Sequence, residues 1–113
     1  MRKLVSLCVL LGFCAMPALA SAETYNDVPV VDVNCSKKVA ADPGSHTRAC
    51  ALKCEGSGFG IVTKDKQFLK FDAKGNSTIA AALKASDKKD RLRVDVSGDV
   101  HGDTLTVTSI KLL

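Results

Sequence analysis

The sequence predicts a mainly β (α+β) domain of five strands and two helices. Three observations predict it. Leu92, Val94, Val96, Gly98 and Val100 alternate strictly with Arg93, Asp95, Ser97 and Asp99, the pattern of a half-buried strand. Residues 28–34 (VPVVDVN), 59–64 (FGIVTK) and 67–72 (QFLKFD) are short β-branched or aromatic runs bounded by turn formers. Two further stretches, 46–55 and 78–86, follow helix-capping residues.

Taken in order, residues 21–27 are polar and read as a flexible leader, with a single domain over 28–113. Pro29 sets the start of the first strand at an edge or at the first strand position. Cys35 falls at that strand's end, and a loop over 36–44 closes on Asp42-Pro43-Gly44. Ser45 is suited to cap a helix over 46–55, which Gly56 and Gly58 stop. Strands 59–64 and 67–72 follow, joined by a tight polar turn, and Lys74-Gly75-Asn76 reads as the next turn. Asn76 or Ser77 then caps a helix over 78–86, with Ile79, Ala82, Leu83 and Ser86 on one face.

In the last segment, Gly98 marks a bulge or bend and His101-Gly102-Asp103 a turn. Leu105 and Val107 keep the alternation, but Ile110 and Leu112 sit in the opposite phase, so a bulge is predicted near Ser109. Five strands with a helix between the third and fourth is the plan of a partly open OB-like barrel. The helix after the first strand is then an insertion that carries Cys and His. A split α+β sheet is the competing architecture.

Residues 1–20 read as a signal peptide. Arg2 and Lys3 precede an apolar stretch over 4–15, and small residues allow cleavage after Ala20 or Ala22. That stretch is shorter than the roughly 20 residues a membrane span needs, so no stable membrane insertion is expected after cleavage. The expected location is a bacterial periplasm or the external medium. Beyond residue 20 the chain has 14 basic and 12 acidic residues, a net charge of +2. The signs are interleaved, as in Lys64-Asp65-Lys66, which argues against a phosphate-tracking surface. Tyr25, Phe59, Phe68 and Phe71 are the aromatic residues of that part, too few for a base-stacking platform. Nucleic acid is therefore not an expected partner.

Cys35, Cys50 and Cys54 lie in the exported part, with His46 in the pattern C-x10-H-x3-C-x3-C. On a continuous helix His46, Cys50 and Cys54 share one narrow face. Thiolates and imidazole are ligands for zinc or copper, and four of them close a tetrahedral shell. The expected metal ligands are Cys35, His46, Cys50 and Cys54. Two other readings stay open. In an oxidising compartment Cys35 can form a disulfide with Cys50 or Cys54, giving a metal-free interaction domain with an unknown protein partner. Cys50 and Cys54, one helical turn apart, are too distant to bridge each other. A small thiol–disulfide redox protein is the third reading, although no C-x-x-C motif is present. No hydrolytic constellation is visible: Ser57 lacks the G-x-S-x-G frame and His101 stands alone in a turn. The domain is accordingly expected to be non-enzymatic.

The runs Asp32-Val33-Asn34-Cys35-Ser36, 46–54 (HTRACALKC), Gly58-Phe59-Gly60 and 92–100 (LRVDVSGDV) resemble a group of small secreted bacterial proteins. That group pairs a D-x-x-C…H-x3-C-x3-C segment with a V-x-V-x-G-x-V hairpin ending, and the likeness spans about residues 28–113. The resemblance implies an OB-like periplasmic domain in which Cys35, His46, Cys50 and Cys54 act as one unit. It implies no established activity.

Overall fold

Every second residue from Leu92 to Val96 is apolar, and these side chains are buried inside a five-stranded barrel. The computed structural model describes residues 21–39 and 41–113; the expected signal peptide lies outside them. The strands are β1 (Ser21–Asp32), β2 (Phe59–Val62), β3 (Phe68–Phe71), β4 (Arg93–His101) and β5 (Thr104–Leu112). Helix α1 is Arg48–Lys53 and helix α2 is Ala73–Ala85. The barrel runs β1-β2-β3-β5-β4 and closes on itself. β3 and β5 are parallel and every other pairing is antiparallel. With α2 between β3 and β4, this is the OB-like α+β fold that the order of elements predicts.

β1 closes the ring because it is long enough to serve two neighbours. Its first part, Ser21 to Pro29, pairs with β4, and Val30 to Asp32 pair with β2. Residues 21–27, expected as a loose leader, are thus strand. Ala22, Glu23 and Thr24 are exposed, so no apolar alternation marks them, and the pairing is carried by backbone together with the Thr24–Ser97 hydroxyl contact at 3.0 Å. A register shift between Tyr25 and Val28 interrupts it. There Asp27 adopts a left-handed conformation (φ 54°). Its N–H donates to Asp95 Oδ1 at 2.8 Å, and Arg93 Nε donates to its carboxylate at 2.5 Å.

The core is formed by Val28, Val30, Phe59, Ile61, Leu69, Phe71, Leu92, Val94, Val96, Leu105 and Val107, with Ile79 and Leu83 of α2 packed onto it. α2 begins five residues before the predicted start, and its N-cap is Asp72. Gly75, expected in a turn, lies in the first turn of this helix. A Cβ there would meet Val107 Cγ2 at 2.5 Å, so the glycine permits close helix–strand packing. Asp72 Oδ1 accepts from Gly75 N and from Val107 N, both at 3.1 Å, and so joins the helix start to β5. Asp72→Ala is expected to cost about 2 kcal/mol of stability by denaturant unfolding, the upper end for a lost N-cap.

The predicted bulge lies in β5. Ser97 pairs with Ser109 and Gly98 with Val107, so Thr108 is the extra residue. Its hydroxyl donates to Ser97 O at 3.1 Å, which satisfies a carbonyl at the register break.

Candidate metal centre

Strand periodicity places Asp32 on the same face of β1 as the core residues Val28 and Val30. Its accessible surface is 0% and its carboxylate is withdrawn from water. A buried carboxylate needs donors, and Asp32 has two. Cys35 N–H donates to Oδ2 at 3.0 Å, and His46 Nε2 lies 2.5 Å from Oδ1. The first contact is local. The chain turns immediately after β1, with Ser36 N–H and Oγ–H both donating to Val33 O at 3.2 and 2.9 Å. That turn brings the Cys35 thiol alongside the Asp32 carboxylate.

The second contact spans the long β1–β2 connection. Pro43–Ser45 forms a short 3-10 turn packed against β1. His46 follows in extended conformation (φ −67°, ψ 132°) and is 4% exposed. Neighbouring backbone is anchored to the β4 approach: Arg91 N–H donates to Gly44 O at 3.0 Å and Arg48 N–H to Lys89 O at 2.8 Å. Thr47 forms an isolated bridge with Asp90.

This anchoring corrects the expected helix. α1 starts at Arg48, and its N-cap is Thr47, whose hydroxyl accepts from Cys50 N–H at 3.1 Å. Ser45 instead donates its hydroxyl to Asp42 O at 2.8 Å. His46 therefore precedes the helix and does not share a helical face with Cys50 and Cys54. It turns inward to Asp32.

Asp32, Cys35 and His46 each offer a ligand atom, and these atoms all lie within 4.8 Å of one another. Two of the four expected ligands, Cys35 and His46, are thus brought together, with Asp32 as a third member. Cys50 is exposed on α1. Cys54 is the C-cap of α1 and only partly buried; Asn34 Nδ2 approaches its sulfur at 3.8 Å. Among the described residues, Cys35, Cys50 and Cys54 are free thiols.

Burial, above all, pushes the Cys35 thiol pKa upward; the Asp32 charge, Cys54 and the Asp32 hydrogen bond add to the rise, and Lys38 opposes it. The thiol beside the carboxylate is therefore held in its protonated form to higher pH than an ordinary cysteine. A cation placed among these groups reverses that preference, because thiolate and carboxylate then face positive charge.

Sequence reasoning missed Asp32 as a member of the group. Its signal was present: an ionisable residue at an inward-facing position of an otherwise β-branched strand, three residues before a cysteine. No family model, curated protein or solved structure matches the chain.

Proposed function

We propose that this chain is an exported, non-enzymatic OB-like module that holds a soft or borderline metal ion through Asp32, Cys35 and His46. The observation that carries the reading is the convergence of a carboxylate, a thiol and an imidazole within 4.8 Å. One sulfur, one nitrogen and one oxygen donor suit zinc. Copper is the competing ion, but cuprous copper favours a sulfur-rich set and has less use for the Asp32 oxygen. An ion bound by both Asp32 and His46 takes the place of the contact between them. Binding also displaces the Cys35 proton, so affinity falls as pH is lowered. A nucleophilic role for Cys35 has less support, since catalytic thiols need a lowered pKa and this one is raised.

Export is supported by the signal-like composition of residues 1–20, and the small secreted bacterial OB-like group remains the proposed kinship. Zinc titration of the reduced protein, followed by elemental analysis after desalting, tests the metal reading. About one equivalent is expected, as for a single site. Cys35→Ser and His46→Ala should each weaken zinc by more than the roughly 10–100-fold that loss of a supporting residue costs. Cys50→Ser should leave affinity unchanged. No retained zinc, or affinity indifferent to both ligand substitutions, would contradict the reading.

A further inference from the structure

Residues 32–36 and 54–58 run against each other and are laced together. Val33 N–H donates to Gly58 O at 2.8 Å, Asn34 N–H to Ser57 Oγ at 3.1 Å, and Asn34 Nδ2 approaches Cys54 Sγ at 3.8 Å. Ser57 Oγ–H in turn donates to Cys54 O at 2.8 Å. Cys35 follows Asn34 directly, and Cys54 ends α1 at the same junction. The two thiols consequently flank one hydrogen-bonded seam between the end of β1 and the approach to β2. Cys50 lies one turn earlier on α1, exposed and without a bond to residues 32–36.

We propose that Cys54 is the redox partner of Cys35, and that a small disulfide oxidant converts this pair to an intramolecular disulfide while Cys50 stays reduced. In the first step the Cys35 or Cys54 thiolate attacks a sulfur of the oxidant, R–S–S–R, forming a mixed disulfide and releasing one RSH. The second protein thiolate then attacks the mixed disulfide, forming the Cys35–Cys54 bond and releasing the second RSH. The two protein sulfurs lose two electrons, the oxidant's two sulfurs gain them, and the two thiol protons leave on the RSH products.

The pairing stands on the seam alone. Its consequence for metal rests on the proposed function: a Cys35 sulfur committed to a disulfide cannot serve as a thiolate ligand, so oxidation and metal binding exclude each other. In an oxidising compartment the exported domain would then hold metal only in the fraction whose Cys35 stays reduced.

The full chain, reduced and freed of metal, is exposed to glutathione disulfide, quenched with an alkylating reagent and mapped by peptide mass spectrometry. The expected result is a Cys35–Cys54 cross-link with Cys50 alkylated, in the wild type and unchanged in Cys50→Ser apart from that site. Cys54→Ser should give no Cys35 cross-link within the chain. A Cys35–Cys50 bond, or alkylation of Cys35, Cys50 and Cys54 alike after oxidation, overturns the pairing. Zinc uptake is measured separately on the reduced and the oxidised protein. Uptake by the reduced form alone supports the exclusion, and equal uptake by both overturns it. If the reduced form takes up none, the proposed function and the exclusion fall together, while the peptide map still decides the pairing.

Discussion

Asp32→Ala will lower folding stability by roughly 3–5 kcal/mol, the cost of removing one member of a buried, hydrogen-bonded pair. The side chain is fully buried, and two groups depend on it: the Cys35 N–H at 3.0 Å and the His46 ring at 2.5 Å. Alanine leaves both without that partner in a space that excludes water, and unsatisfied buried groups cost about 1–3 kcal/mol each. Asp32→Asn separates structure from metal binding. It keeps the volume and one carbonyl acceptor, so the stability loss should shrink to about 1–2 kcal/mol. Zinc affinity should still fall, because the anionic oxygen is gone. Urea unfolding with and without zinc reads both effects. A loss below about 1 kcal/mol for Asp32→Ala would show that the carboxylate does not hold the β1–β2 connection in place.

Gly98→Ala comes next, with an expected loss of about 3 kcal/mol, the upper range for overpacking. Gly98 faces the β5 bulge, where its strand crosses close to Thr106 and Val107. A Cβ at this position would strike the Thr106 carbonyl oxygen and lie 2.9 Å from the Thr106 carbonyl carbon. These are backbone atoms, and they can yield only by opening the β4–β5 ladder. Gly56→Ala is the matched control, since nothing lies within 4 Å of a Cβ there. It should change stability by no more than about 0.5 kcal/mol. Equal effects for the two substitutions would mean that the bulge relaxes freely.

These two positions also show what was legible in the sequence. The alternation through 92–100 announced β4, and the phase slip between Val107 and Ile110 announced the β5 bulge, because each residue there faces either core or water. The extension of β1 back to Ser21 was not legible. Its exposed residues hold their place chiefly by backbone pairing to β4, which has no side-chain signature. The start of α1 was expected after a Ser45 cap, whereas the cap is Thr47. Contacts from residues 88–91, forty positions away in sequence, decided it: Arg48 Nε donates to Lys88 O at 2.9 Å, and Arg48 N–H to Lys89 O at 2.8 Å. With that decision His46 left the helical face and turned to Asp32. Local spacing therefore singled out Cys35 and His46, which the structure brings together, but attached His46 to a helical face it does not share; tertiary structure adds the Asp32 carboxylate to the group.

The proposed ligand set is one carboxylate, one imidazole and one thiolate. X-ray absorption at the zinc edge, on reduced protein carrying one equivalent of zinc, tests it most directly, because sulfur scatterers at about 2.3 Å are resolved from nitrogen and oxygen at about 2.0–2.2 Å. A single sulfur in a shell otherwise of nitrogen and oxygen is the predicted result, and the sulfur contribution should vanish in Cys35→Ser. A shell of three sulfurs, from Cys35, Cys50 and Cys54 together, would contradict it.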